Sequence, residues 1–166
     1  MNTVLYFAYG SNMSVARLEN RVSSVQVITK ARLDNHQLRF HKRSRDGSGK
    51  CNAKCVGNAA DTIYGVVFEM TVPQKRLLDV YEGLGNGYDQ KDISVIASNG
   101  KTLTAQYYYA TEIDNSLKPY EWYKQHVLQG AYEHGLPPDY IASIESIKIV
   151  PDLNTKRHKR ELYIYC

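Results

Sequence analysis

The sequence has little cysteine, no long apolar run and no large excess of either charge. Its 166 residues include three cysteines, an odd number that argues against a disulfide framework and favours a reducing compartment. No apolar run reaches the length of a membrane span, and the first residues lack the basic segment and apolar stretch of a secretory signal. These absences predict a cytoplasmic location and no association with a membrane.

Residues that bind metals or nucleotides are not grouped along the chain. Cys51 and Cys55 are separated by three residues, and no second His/Cys pair lies at zinc-site spacing. His126 and His134 lie on one expected helix, too far apart to share a metal, and are expected at its surface. No Gly-x-Gly-x-x-Gly or Walker-type loop follows the first expected strand. We therefore predict no metal site.

The net charge of +4 is small for a dedicated nucleic-acid-binding protein. Positive charge is concentrated in two runs, 41–45 and 156–160, and neither contains aromatic side chains for base stacking. We interpret them as a solvated loop and a solvated tail, so nucleic acid is not expected as a partner. A contact with an anion or with RNA is the alternative.

Periodicity and turn residues predict one α+β domain at 1–150, followed by a basic tail at 151–166 that packs on the domain or extends from it. Thr71 and Gln74 have the spacing of a capping box, and Gly83 suits the end of the helix that they begin. The segment 44–50 is polar and rich in glycine, which predicts a mobile loop. Strands are expected at 4–8, 25–33, 35–42, 52–56, 61–71, 88–97 and 102–110, and helices at 14–21, 71–82, 119–134 and after 137.

A short loop after the first strand is the first candidate site. The apolar run 4–8 ends at Gly10, Ser11 and Asn12, and a helical pattern begins near Ser14. Such a loop presents backbone N–H groups that suit a carboxylate or a developing oxyanion. Ser11 as a nucleophile would need a base and an orienting acid, and the second glycine of a nucleophile elbow is missing. An ordinary strand–turn–helix connection is the other interpretation.

Glu82 is the second candidate. It is expected at the C-terminal end of a helix, beside glycines, with Asp79 one turn earlier. The negative end of the helix dipole and Asp79 both disfavour its charged form, which suits a carboxylate that accepts a proton. The alternative is a solvent-exposed glutamate without a role.

Together these segments are similar to one known family. The run Tyr6–Met13 resembles the signature loop of the gamma-glutamylcyclotransferases, and 79–83 followed by Gly87 and Tyr88 resembles the segment that carries the family's catalytic glutamate. The segments 65–68 and 123–137 also match, and the order and spacing agree from about residue 5 to residue 147.

The resemblance implies a small, mixed, barrel-like β-sheet with flanking helices and an enzyme that needs no cofactor. It implies that the alpha-amine of a small gamma-glutamyl substrate attacks its own gamma-carbonyl, giving 5-oxoproline and a free amino acid, with Glu82 as the catalytic base. By analogy a homodimer is possible. The residues matched to substrate binding are Tyr9, Gly10, Ser11, Asn12, Met13, Tyr88 and Tyr123.

Two departures from the family pattern leave the substrate open. The stretch 39–56 is richer in lysine and arginine than expected, with Cys51 and Cys55 in it, and would select or exclude an acidic substrate if it overhangs the site. The tail 152–166 has no clear counterpart. The alternatives are a cyclotransferase of gamma-glutamyl amines or of another gamma-glutamylated small molecule, and a non-enzymatic binding module of the same fold.

Overall fold

The computed structural model describes residues 1–166 and contains seven strands and five helices. The strands are β1 (Thr3–Ala8), β2 (Gln26–Asp34), β3 (His36–Arg43), β4 (Gly49–Cys55), β5 (Thr62–Thr71), β6 (Tyr88–Ala97) and β7 (Thr102–Ala110). The helices are α1 (Val15–Glu19), α2 (Val72–Glu82), α3 (Glu121–Glu133), α4 (Pro138–Glu145) and α5 (Thr155–Tyr163).

Five strands form a closed barrel in the order β1-β5-β2-β6-β7. All neighbours are antiparallel except β1 and β7, which meet in parallel at Tyr6 and Gln106. Phe7 of β1 and Val67 and Phe68 of β5 are all fully buried. Because Val67 and Phe68 are adjacent in β5, they lie on opposite faces of the sheet, so the sheet is covered on its outer face as well as filled inside. The predicted mixed, barrel-like sheet with flanking helices is confirmed.

The strands β3 and β4 form a separate hairpin beside the barrel. The segment 44–50, which we predicted to be a mobile loop, comprises the turn of this hairpin and the first two residues of β4. The Asp46 carboxylate accepts hydrogen bonds from the backbone and the hydroxyl of Ser48 (3.0 and 2.6 Å) and from Lys50 Nζ (2.9 Å). The prediction of a solvated loop at 41–45 is wrong for His41 and Lys42, because both are buried between the hairpin and the body.

Helix α2 begins and ends as its sequence predicts. Thr71 and Gln74 form a reciprocal capping box, and Gly83 adopts a left-handed conformation (φ 70°) immediately after Glu82. The helix begins where β5 ends, beside the start of β1, and its other end brings Glu82 to Asn12, just beyond the end of β1.

The first loop is held in place by the long helix α3. After β1, a 3₁₀ turn at Ser11–Met13 leads into α1, whose N-cap is Ser14. Gly130 of α3 packs directly against this turn: a Cβ there would lie 2.4 Å from Met13 Cβ. The missing side chain of Gly130 thus lets helix and loop approach at backbone distance.

The residues after 150 fold back onto α3. Asp152 accepts a hydrogen bond from Trp122 Nε1 (2.8 Å) and two from Arg157 (2.6 Å each). From α5, Glu161 accepts a hydrogen bond from Arg17 Nη1 (2.7 Å). The tail is therefore a helix joined to the body by buried polar contacts.

The helices of the structure are all too short or too polar to cross a lipid bilayer.

Candidate active site

The carboxylate of Glu82 is held by one of its two oxygens. Asn12 Nδ2 and Arg21 Nη1 both donate to Oε1, each at 2.7 Å. Arg21 Nη1 also donates to Asn12 Oδ1 (3.3 Å), so the three side chains form a closed set. Oε2 of Glu82 accepts no hydrogen bond in the protein. The geometry fixes the carboxylate and leaves one oxygen available to a proton on a ligand.

The charges around Glu82 differ from those expected from the sequence. Asp79 does not lie free one turn from Glu82: it is paired with Lys75 and accepts a hydrogen bond from Tyr108 Oη (2.6 Å). Glu82 itself forms an ion pair with Arg21 and is mostly buried. The negative charge of Asp79 is therefore compensated by Lys75, and that of Glu82 by Arg21.

A narrow inner recess of about 20 Å³ lies beside Glu82. Tyr9 Oη donates to the carbonyl of Tyr108 (2.6 Å), and Tyr88 Oη donates to the carbonyl of Cys51. Tyr6 Oη accepts from Asn12 (3.0 Å), but its own proton has no acceptor in the protein. The inner recess is lined by Tyr6, Tyr9, Gly10, Asn12, Cys51, Glu82, Tyr88, Tyr108 and Tyr123.

Burial keeps the tyrosine hydroxyls and the Cys51 thiol of the inner recess neutral. Burial raises the pKa of the Tyr6, Tyr9 and Tyr88 hydroxyls well above the ordinary value. Burial also raises the pKa of the Cys51 thiol to about 12, although its hydrogen bond with Tyr123 acts in the opposite direction. The hydroxyls thus serve as hydrogen-bond donors, and Cys51 lacks the thiolate that a nucleophile needs.

A wider outer recess of about 210 Å³ shares Glu82, Tyr88 and Tyr123 with the inner one. Lys50 Nζ lies over the rings of Trp122 (4.1 Å to the centroid) and Tyr123 (4.4 Å). Burial lowers the pKa of Lys50 to about 8, and its Asp46 partner opposes that shift. The outer recess is lined by Ser11, Arg17, Arg21, Lys42, Ser44, Asp46, Lys50, Tyr81, Glu82, Tyr88, Trp122 and Tyr123.

Three larger cavities lie elsewhere. One, of about 330 Å³, is bounded by β2, the β6–β7 turn and the start of α4, a second, of about 440 Å³, lies between β3 and the segment 115–119, and a third, of about 240 Å³, lies at the start of α5. None of them contains Glu82 or the loop at Gly10. Nor does any group of three or more His, Cys, Asp or Glu side chains come together as metal ligands.

Comparison with known proteins identifies the family. The profile of the AIG2-like family matches residues 62–144. The gamma-glutamylcyclotransferases of Bos taurus and Homo sapiens are 33% and 32% identical to this chain over 152 residues, covering 87% of it and 78% of each relative. The chain belongs to the gamma-glutamylcyclotransferase family. A solved structure of a gamma-glutamyl cyclotransferase superposes with a TM-score of 0.85 at 27% identity, over 96% of this chain and 99% of that one.

Most residues matched to the gamma-glutamylcyclotransferase pattern come together around Glu82. Tyr9, Gly10, Asn12, Tyr88 and Tyr123 line the inner recess, which Glu82 also lines. Ser11 lies in the outer recess, and its hydroxyl makes no hydrogen bond with a histidine.

Met13 is the exception among the matched residues. Its side chain is fully buried against α3 and lines neither recess. Its carbonyl oxygen accepts a hydrogen bond from His134 Nε2 (2.8 Å). Met13 thus anchors the loop.

Several residues of the site were missed from the sequence. Arg21 follows a five-residue helix and gives no local signal that it reaches Glu82, 61 positions away. The sequence predicts Tyr6 in a buried strand and Tyr108 in the second strand of a β-hairpin, with no sign that either side chain reaches the site. The basic stretch 39–56 departs from the family pattern, and its charged side chains Lys42, Asp46 and Lys50 line the outer recess.

Proposed function

We propose that this protein is a gamma-glutamylcyclotransferase that converts a gamma-glutamyl amino acid into 5-oxoproline and the free amino acid. The observation that carries the proposal is the carboxylate of Glu82, held through Oε1 by Asn12 and Arg21 with Oε2 free at the wall between the two recesses. The names of the relatives in Bos taurus and Homo sapiens support the same reaction class.

The alpha-amine of the substrate is an ammonium at neutral pH and has to lose a proton before it can attack. We place that proton on Oε2 of Glu82. The nitrogen then bonds to the gamma-carbon, the bond from that carbon to the leaving nitrogen breaks, and Glu82 returns the proton to the leaving amine. A second proton passes from the attacking nitrogen to the leaving one, so that the lactam and the amine form without any other reactant.

Negative charge develops on the gamma-oxygen as the ring closes. At least two donors at the inner recess have no acceptor within the protein, the N–H of Gly10 and the O–H of Tyr6. Preorganised donors of this kind stabilise an oxyanion in a site that excludes water. In the proposed arrangement one of them faces the gamma-oxygen and the other the alpha-carboxylate.

The size of the recesses indicates how the substrate lies. The inner recess of about 20 Å³ holds a single water-sized group, whereas the outer one has room for most of an amino acid. The substrate therefore enters from the outer recess, with only its reacting atoms at the inner wall. Ring closure in a substrate held folded in this way gains from proximity.

The test is release of 5-oxoproline from a panel of gamma-glutamyl compounds by the wild type and by Glu82→Gln. The panel contains gamma-glutamyl amino acids, glutathione and gamma-glutamyl amines, and so also addresses the amine alternative. We expect Glu82→Gln to lower kcat by about 10²- to 10⁴-fold. Turnover unchanged by that substitution would contradict the mechanism, and salt-dependent RNA binding without any 5-oxoproline would favour a binding module.

A cytoplasmic location and a homodimer remain predictions from the sequence. Light scattering of the purified protein measures the second.

A further inference from the structure

Lys42 is the one cation of the outer recess without a carboxylate partner. Each of the other three forms an ion pair with an N···O distance of 2.9 Å or less: Arg17 with Glu161, Arg21 with Glu82 and Lys50 with Asp46. Lys42 makes no ion pair and no hydrogen bond through its side chain, although the residue is only 8% exposed. Its ammonium lies 4.6 Å from the centroid of the Tyr88 ring.

Two features of the backbone place Lys42 there. The pairing of β3 with β4 shifts register between Arg39 and Lys42, and a bulge of this kind turns a side chain away from its regular direction. Gly87 has φ 109°, and a Cβ at that position would lie 2.9 Å from Lys42 Cε and 3.0 Å from Nζ. The absence of a side chain at Gly87 thus leaves the space that the lysine occupies.

An unpaired ammonium in such a place destabilises the free protein. Burial of a charge costs free energy unless a partner of opposite sign compensates it. Consistent with this, burial lowers the pKa of Lys42, while the more distant Glu82, Glu112 and Asp46 only oppose the shift. A ligand anion in the outer recess would supply the missing partner.

We infer that Lys42 binds the carboxylate of the leaving amino acid and thereby selects gamma-glutamyl amino acids over gamma-glutamyl amines, an inference that rests on the proposed function. The alpha-amine and alpha-carboxylate of the substrate share one carbon and stay near Glu82 and Gly10. The leaving group lies on the far side of the gamma-carbon. Lys42 forms no ion pair with Glu82, and it reaches the recess from the hairpin wall, where the leaving group would lie.

Three substrates that differ at one group test the inference. Gamma-glutamyl-alanine carries the carboxylate, gamma-glutamyl-alaninamide replaces it by a neutral group of the same size, and gamma-glutamyl-ethylamine lacks it. We expect the wild type to prefer the first over the other two by about 10- to 100-fold in kcat/KM, the range of a charged hydrogen bond. Lys42→Met should remove that preference by lowering kcat/KM for gamma-glutamyl-alanine alone.

Lys54→Met is the matched control, because Lys54 lies on the same hairpin but is exposed and lines neither recess. Equal loss on all three substrates in Lys42→Met would overturn the inference, since it would place the ammonium on the gamma-glutamyl part. An unchanged preference in Lys42→Met would overturn it as well.

Two further measurements distinguish the proposed role of Lys42 in binding from an effect on folding and from an effect on the chemical step. Because Lys42→Met removes a buried unpaired charge, its Tm should equal or exceed that of the wild type; a lower Tm would show a structural role instead. Calorimetric binding of the three substrates to Glu82→Gln and to Glu82→Gln/Lys42→Met needs no turnover. Equal affinity of Glu82→Gln for all three substrates would overturn the inference. Failure of the wild type to form 5-oxoproline from any substrate would instead overturn the proposed function.

Discussion

Asn12 Nδ2 donates a hydrogen bond of 2.7 Å to Oε1 of Glu82, across 70 residues of sequence. The same amide group donates to Tyr6 Oη, so one side chain of the first loop orients both the proposed base and a proposed oxyanion donor. The loop therefore contributes a side chain as well as backbone N–H groups to the site. This contact explains why a loop of this shape is placed opposite the end of α2.

Replacement of Asn12 should lower kcat much more than it raises KM. In Asn12→Ala the carboxylate of Glu82 loses one of the two donors that orient it, and we expect kcat to fall by about 10- to 100-fold. Asn12→Asp should be more damaging, because a second carboxylate would then face Glu82. Steady-state kinetics with gamma-glutamyl-alanine measure both. Asn20→Ala, an exposed asparagine after α1, is the control, and activity of Asn12→Ala within twofold of wild type would contradict the positioning role.

Gly10 and Ser11 should differ sharply in their tolerance of a methyl group. Ser11→Ala removes a hydroxyl with no partner in the protein, so activity should fall by less than about fivefold. In Gly10→Ala the new Cβ would lie 3.0 Å from Cys51 Cβ and 3.3 Å from Cys51 Sγ, which crowds the inner recess. We expect a large loss of kcat/KM in Gly10→Ala.

The double variant Gly10→Ala/Cys51→Gly provides the control for that clash. Removing the Cys51 side chain takes away both close atoms and should restore part of the activity. If the double variant is no better than Gly10→Ala, contact with Cys51 is not the cause of the loss.

The features predicted from the sequence are those that local chemistry determines. The capping box at Thr71, the left-handed Gly83 and the strand before Gly10 each depend on neighbouring residues. The closeness of Glu82 and Gly10 could be proposed from the family resemblance. These predictions could be made without knowing how distant segments of the chain pack.

The features that were missed depend on contacts between distant segments. The run 41–45 looked like a solvated loop because its residues are basic, and only the bulge in β3 and the pairing with β4 bury Lys42. Met13 matches a site position of the family, but its side chain packs in the core against Gly130, which lies far along the chain. His126 was expected at a helix surface and is fully buried, because α5 covers that face of α3.

Gly130→Ala should destabilise the protein and impair the site together. Its Cβ would lie 2.6 Å from the carbonyl carbon of Met13 and from the backbone N of Ser14, contacts that no change of rotamer relieves. We expect a loss of about 1–3 kcal/mol in the free energy of unfolding, with a lower kcat/KM because the loop shifts relative to Glu82. Urea denaturation measures the first, and exposed Gln125→Ala on the same helix is the control. Wild-type stability in Gly130→Ala would show that the helix adjusts without cost.

His126 should make the stability of the protein fall as the pH falls below about 6.5. Its ring is fully buried, with Nδ1 2.6 Å from Tyr165 Oη and Nε2 3.2 Å from Glu161. Burial lowers the pKa of His126 from its ordinary 6.5 to about 4, although Glu161 opposes the shift. Between these values the unfolded chain binds a proton that the folded protein does not, so acidification favours unfolding.

The effect of His126 should be visible in chemical denaturation at several pH values between about 6.5 and 5.5, a range in which few carboxylates of the unfolded chain titrate. We expect the free energy of unfolding to decline with pH in the wild type and to decline less in His126→Gln, where no proton can be taken up at that position. Burial also lowers the pKa of His41, which accounts for part of the slope that remains. His158→Gln, a less buried histidine on α5, should keep most of the wild-type slope. An unchanged slope in His126→Gln would mean that His126 binds its proton as readily in the folded protein as in the unfolded chain, which contradicts the prediction.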